Sequence, residues 1–174
     1  MDYAPLIRSV PDFPEPGILF RDITPLLLDP EASRSATLEL ARWAAPLEAD
    51  FLVAAESRGF IFGGALAQEL GIGFVPARKP GRLPAETVSV EYELEYGVDG
   101  LEVHADALSD GARVIVHDDL IATGGTAAAK VEAVERLGGV VVGCGFLIEL
   151  EGLGGRQRLA PHETRALLTL PVDG

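Results

Sequence analysis

The chain has one cysteine, Cys144, two lysines, Lys79 and Lys130, and no long apolar run among its 174 residues. A lone cysteine cannot close an intrachain disulfide, which argues against a small stapled secreted scaffold. No stretch approaches the roughly 18 apolar residues that cross a bilayer, and the opening Met1-Asp2-Tyr3 lacks the basic-then-apolar order of a secretory leader. A cytoplasmic location with no membrane partner is therefore expected. Positive charge is scarce as well: 14 Lys and Arg face 27 Asp and Glu, a net charge of −13. That balance disfavours loose binding to nucleic acid or to an anionic membrane, both of which need a basic surface. No GxxxxGK[ST] run occurs, so the lysine-bearing loop that cradles nucleotide di- and triphosphates is missing. With 48% hydrophobic and 24% charged residues the composition is globular, and the length suits one domain, residues 1–174.

What is present concentrates between residues 112 and 139. Ala112 to Val116 is a short apolar, β-branched run that fits a buried strand, and Asp118 and Asp119 follow at its end. Leu120 to Gly125 reads as a loop. Thr126 then opens an Ala-rich helix with Val131, Val134 and Leu137 on one face, stopped by Gly138 and Gly139. Glycines before a helix let the backbone approach a ligand, and the free N–H groups of the first turn, with the helix dipole, suit a phosphate. Thr123 and Thr126 add hydroxyls. Carboxylates repel a phosphate but accept hydrogen bonds well from vicinal hydroxyls, so a sugar phosphate with a 2,3-diol satisfies both halves of the run. An ordinary strand-end turn accounts only for pieces of it.

Around this run, residues 1–28 are rich in proline without sustained period and are expected to be irregular, with one helical turn near Tyr3 to Ser9. Asp29-Pro30 caps a helix whose apolar face carries Leu38, Leu40, Trp43 and Leu47. Phe51 to Ala55 reads as a buried strand, Glu56-Ser57-Arg58-Gly59 as its exit loop, Phe60 to Leu70 as a helix ending at Gly71, and Gly73 to Ala77 as the next strand. Loops after parallel strands carry ligands in open α/β sheets, so Arg58, Arg78, Lys79 and Arg82 are expected to converge on the same side as the glycine turn. In so acidic a chain, three basic residues within Arg78 to Arg82 form a candidate anion site. Val88 to Glu95 and Leu101 to His104 alternate as a β-hairpin, with Gly97 and Gly100 in its turn, and such an arm could close over the site. Val140 to Leu150 and Ala166 to Leu170 are the last strands.

Asp118-Asp119-Leu120-Ile121-Ala122-Thr123-Gly124-Gly125-Thr126 resembles the 5-phosphoribosyl 1-pyrophosphate (PRPP) motif of the type I phosphoribosyltransferases. The resemblance extends, in the family's order, over Pro11 to Pro14, Pro16 to Pro25, Glu56 to Phe60, Arg78 to Pro84 and Leu94 to Gly97. It implies an α/β fold of the type I phosphoribosyltransferase kind: a central, mostly parallel sheet flanked by helices, a small N-terminal hood (about 1–28) and a flexible β-hairpin arm (about 83–106). It also implies a homodimer, no nucleic-acid partner, and Mg²⁺ held mainly through PRPP, with no direct protein ligands to the metal.

By resemblance, Ala122, Thr123, Gly124, Gly125 and Thr126 hold the 5-phosphate. Asp118 and Asp119 hold the ribose, and Arg58, Arg78, Lys79 and Arg82 hold the pyrophosphate. Leu19, Phe20, Arg21 and Leu150 surround an adenine ring, Phe20 and Leu150 on its opposite faces. Glu95 and Tyr96 arrive with the closing arm. Catalysis would rest on Arg58, Asp118, Asp119 and Glu95, with Glu95 either transferring a proton or orienting pyrophosphate. Related enzymes for 6-oxopurines carry an acid where this chain has Ala122, which favours adenine as acceptor and AMP as product. Two departures stand out. His117 replaces a usually apolar residue, and Arg82 replaces a more usual lysine. A regulator that keeps the cup as a PRPP sensor is the alternative reading, though such a protein would have no use for Glu95.

Overall fold

The computed structural model describes residues 1–94 and 97–173. After a 3₁₀ turn at Ala4–Leu6, β1 (Arg8–Val10) pairs antiparallel with β2 (Phe20–Asp22), and α1 (Thr24–Leu28) follows. Residues 1–28 are thus not simply irregular, as expected from their prolines. Strands of three residues are too short to leave a period in the sequence, and they are tied instead at long range. The buried Arg21 guanidinium donates to Ser9 Oγ on the opposite strand and to the Pro171 carbonyl near the far end of the chain.

Helix α2 (Pro30–Ala44) starts as its sequence demands, with Asp29 Oδ1 accepting from the Glu31 and Ala32 amides at 3.0 Å each. Its buried stripe is Ala32, Ala36, Leu40, Ala41 and Ala44, so the expected face holds at Leu40 but not at Leu38, which is half-buried. The alanines set the contact because they let α2 approach closely. Trp43 is half-buried, donates to Glu163 at 2.8 Å and covers the spaces left by Gly143 and Gly145, while Leu47 belongs to a 3₁₀ turn beyond the helix.

Next come β3 (Phe51–Ala55), α3 (Gly59–Leu70), ended by the left-handed Gly71, and β4 (Gly73–Ala77). The hairpin strands β5 (Thr87–Leu94) and β6 (Gly97–His104) pair antiparallel. Gly97 and Gly100 lie within β6, opposite Leu94 and Glu91, and not in the turn. Gly100 serves close approach there: an added Cβ would lie 3.2 Å from Pro80. The chain closes with β7 (Arg113–Ile121), α4 (Gly125–Arg136), β8 (Val140–Leu150), α5 (Gly155–Arg158) and β9 (Thr164–Leu170).

Five strands form one wholly parallel sheet in the order β4-β3-β7-β8-β9. Alternate residues of β7 serve the two faces. Ile115 packs with Leu40, Leu52 and Leu66 under α2 and α3, whereas Val114 and Val116 pack with Ala133 and Val134 of α4 and with Val90 and Val103 of the hairpin. The connection β3-α3-β4 runs to one side and β7-α4-β8 to the other, so strand order reverses between β3 and β7. In such a sheet the crevice beyond the carboxyl ends of those two strands is where ligands bind.

Candidate active site

A cleft of about 370 Å³ opens at that reversal point, lined by the exit segments of β3, β4 and β7 and by Tyr92 and Asp99 to Leu101 of the hairpin. β7 is longer than its apolar run suggests. Asp118 and Asp119 sit inside the ladder, with Asp118 opposite Phe146, because the eleven residues of β8 continue to offer backbone partners. The connecting turn is correspondingly short, and α4 begins at Gly125, not at Thr126. Gly124 adopts a left-handed φ of 80°, and a Cβ there would stand 2.9 Å from the Gly155 carbonyl. Both constraints require glycine. The first-turn N–H groups of α4 have no acceptor within the helix and face the cleft, whose lining includes Ala122 through Ala127.

The two acids differ. Asp118 accepts from the Lys130 ammonium at 2.6 Å through Oδ2 and from the Asp119 amide at 3.0 Å through Oδ1. Asp119 is 4% exposed, and the Arg58 Nε reaches its Oδ2 to 3.1 Å without the alignment of a hydrogen bond. Asp119 Oδ2 and Arg58 Nη1 therefore remain unsatisfied. Burial and the neighbouring Asp118 charge push the Asp119 carboxyl well above the usual carboxylate range, with Arg58 opposing. An unsatisfied acceptor facing a cleft is what a sugar hydroxyl would complete.

The basic side of the cleft is organised by Glu56, which the sequence reading did not single out. Arg78 Nη2 donates to Glu56 Oε2 at 2.9 Å and the Lys79 amide to Oε1 at 2.7 Å, holding the carboxyl below its ordinary range. Arg78 and Lys79 line the cleft together with Arg58. Arg82 does not: its side chain is exposed, and its carbonyl accepts from Arg78 Nη1 at 3.1 Å. A loop bent back by Gly81, at a φ of 75°, turns that residue outward. Tyr92 and Asp99, on facing hairpin strands, also border the cleft. The Asp99 carboxylate is paired with the Lys79 ammonium, and the Tyr92 hydroxyl lies 3.1 Å from Asp99 and 3.4 Å from Thr126 Oγ1. Neither carried a motif, and only the fold brings them in.

Phe20 is outside the cleft lining but touches it through Arg58, its ring 4.7 Å beneath the Arg58 guanidinium and 5.1 Å edge-on from Phe13. Leu19 is half-buried beside it in sequence, and the Arg21 side chain points away into its tie with Ser9 and Pro171. Leu150 packs in an apolar cluster with Leu120 and Leu170, outside the cleft lining. Glu95 and Tyr96 lie outside the described residues.

A phosphoribosyl transferase domain model matches residues 31–166. The chain belongs to the phosphoribosyltransferase family. It is 58% identical over 159 residues to an adenine phosphoribosyltransferase of a Synechococcus species, covering 91% of this chain and 93% of the relative. It is 52% identical over 171 residues to the adenine phosphoribosyltransferase of Streptococcus uberis, covering 98% and 99%. The crystal structure of adenine phosphoribosyltransferase from Thermoanaerobacter pseudethanolicus superimposes with a TM-score of 0.94 at 50% identity, covering 96% and 97% of the two chains. The fold is accordingly that of the type I phosphoribosyltransferases, here with a sheet that is parallel throughout.

Proposed function

We propose that this protein transfers the phosphoribosyl group of PRPP to adenine, releasing pyrophosphate and AMP, as a purine-salvage enzyme. The observation that carries the reading is the juxtaposition of a helix-start anion cup, Gly124 to Thr126, with the adjoining acids Asp118 and Asp119 at the sheet's reversal point. PRPP presents a 5-phosphate, a vicinal diol and a pyrophosphate at C1, and the cleft has a device for each.

In this mechanism the cup's N–H groups and the Thr123 and Thr126 hydroxyls receive the 5-phosphate. The diol donates to Asp118 and Asp119, satisfying Asp119 Oδ2. Arg58, Arg78 and Lys79 receive the pyrophosphate, Lys79 exchanging Asp99 for it. As the C1–O bond to pyrophosphate breaks and a ring nitrogen of adenine bonds to C1, giving up its proton with Glu95 as the candidate acceptor, positive charge grows on the ribose ring and negative charge on the leaving group. The fixed carboxylates stand near the former and the guanidinium groups near the latter, so both changes occur in a field already set. The adenine ring stacks on Phe20, beneath a hood comprising about residues 1–28, with backbone groups around Leu19 and Arg21 reading its edge and Leu150 bounding the far side. An arm of about residues 83–106 closes with Glu95 and Tyr96 to exclude water.

Among the described residues no group of three or more His, Cys, Asp or Glu is arranged to chelate a metal. Glu56 and Asp99 are engaged by Arg78 and Lys79. Mg²⁺ bound mainly through PRPP would neutralise charge on the leaving group. A cytoplasmic homodimer is the proposed setting. No helix among the described residues is long and apolar enough to cross a membrane.

The test is AMP formation from PRPP and Mg²⁺ with adenine, in parallel with product formation from hypoxanthine, guanine, xanthine and orotate. Turnover confined to adenine is expected, since Ala122 offers no acid to a 6-oxopurine. Saturable PRPP binding without turnover on any base would make the protein a sensor.

A further inference from the structure

Lys130 plays no part in the mechanism above, yet its side chain is 0% exposed and reaches directly behind the acid pair. We propose that Lys130 is a positioning residue for Asp118: its ammonium grips the carboxylate from the protein side, so that the acid pair is already set when the ribose diol arrives. The inference rests on the reading that Asp118 and Asp119 receive that diol.

The geometry is specific. Lys130 stands one turn after Thr126 on α4, so the helix whose first turn forms the phosphate cup also carries the lysine. Its Nζ donates to Asp118 Oδ2 and to the His117 carbonyl, both at 2.6 Å, tying the acid and the strand that bears it to the same point. Asp118 Oδ1 accepts from the Asp119 amide, and α3 leaves room for it only because residue 59 is glycine, where a Cβ would lie 2.5 Å from that oxygen. The Asp118 carboxylate is thus held from α4, from its own backbone and against the start of α3. For stability alone an apolar side chain would serve this interior at least as well, because a buried ion pair barely repays its desolvation. A buried ammonium in contact with a cleft-lining carboxylate is better explained by that carboxylate.

The titratable groups around the ammonium come from three elements. Asp118, Asp119 and His117 lie on β7, Cys144 on β8, and Arg58 precedes α3. Burial holds His117 neutral, down at about 4, and the Cys144 thiol neutral, up at about 12. That leaves the Asp118 carboxylate, 2.6 Å from Nζ, as the side chain that Lys130 serves. Its charge also opposes the upward push that burial and Asp118 exert on Asp119. Without Lys130, Asp119 would hold its proton to still higher pH.

The experiment compares wild type, Lys130→Met, Lys130→Gln, Asp118→Asn and the Asp118→Asn/Lys130→Met pair in steady-state assays with PRPP and adenine between pH 5 and 9. Thermal unfolding is followed alongside. Both Lys130 substitutions are expected to raise KM for PRPP about tenfold or more, with KM for adenine within about threefold. The acid limb of kcat/KM for PRPP should move to higher pH. In the Asp118→Asn background Lys130→Met should cost less than about threefold, because a residue acting through Asp118 has nothing left to act on. Should Lys130→Met not fold, Lys130→Gln, which keeps a donor for the His117 carbonyl, carries the same expectations. An unchanged PRPP KM and acid limb in the Lys130 variants, with Asp118→Asn impaired, would overturn the positioning role and leave the diol reading intact. Equal losses from Lys130→Met in both backgrounds would overturn it too. An Asp118→Asn enzyme with wild-type PRPP KM would remove the diol reading itself.

Discussion

From Asp118 to Lys130 the site is held by regular structure. The acids sit in a strand paired on its far side by β8, the cup is the start of a helix, and a buried lysine joins the two. The segment joining β1 and β2 is held differently. Phe13 is 50% and Ile18 45% exposed, and Phe20 rests on Arg58 and Phe13 with no strand neighbour beyond β1. The contrast divides the substrates. On the proposed assignment of PRPP to the first region and adenine to the second, the PRPP half is preorganised, so its hydrogen bonds cost little ordering when made, whereas the adenine half is completed by the base itself. Mutations in the first region should therefore strike PRPP and turnover hard, and mutations in the second should strike adenine more gently.

The largest expected effect is at the acids. Asp118→Asn with Asp119→Asn removes two charged acceptors and should lower kcat/KM for PRPP about a thousandfold at pH 7.5, read by AMP formation. Gly124→Ala comes next. It forces a side chain into a left-handed backbone against the Gly155 carbonyl, and it should raise KM for PRPP about tenfold and destabilise the fold by roughly 1–3 kcal/mol in a denaturant titration. Phe20→Ala should raise KM for adenine about tenfold through lost stacking, with KM for PRPP within about threefold. A Phe20→Ala enzyme impaired mainly in PRPP would erase the division.

The smallest effect on turnover is expected at His117. Its ring is fully buried, and neither nitrogen has a hydrogen-bond partner. Burial lowers it to about 4, so the unfolded chain takes up a proton below about 6.5 while the folded one does not. The stability contributed by the neutral ring is present above pH 6.5 and is lost as pH falls toward 4, a change of roughly 3 kcal/mol. Asp119, raised by burial, has the opposite slope: its contribution is present at low pH and lost as pH rises through the raised value. His117→Val should keep adenine turnover within about tenfold and flatten the loss of stability between pH 6.5 and 4, measured by urea unfolding.

Much of the PRPP half was legible in the sequence because the chemistry demands a contiguous run. Strand, acids, glycines and helix follow one another, and only their boundaries moved: the acids lie inside β7 because β8 continues beside them. What was not legible depends on distant partners. Glu56 enters the cleft from the exit of β3, Tyr92 and Asp99 enter from the separate hairpin sheet bridged to Arg78 through Glu102, and Lys130 shows its role only when α4 is laid against β7. Arg82 illustrates the reverse, since a basic residue in the right cluster is turned outward by the bend at Gly81. The pairing of β1 with β2 escaped because three-residue strands leave no period, and a further tie on β2 runs from Arg21 to distant Pro171.

The most direct measurement of the central claim is a calorimetric titration of PRPP with Mg²⁺ into the wild-type protein and into the Asp118→Asn/Asp119→Asn variant, without adenine. Saturable binding to the wild type, weakened at least about a hundredfold in the variant, is the result that a preformed cup beside diol-binding acids predicts. Equal affinity for the two proteins would contradict it.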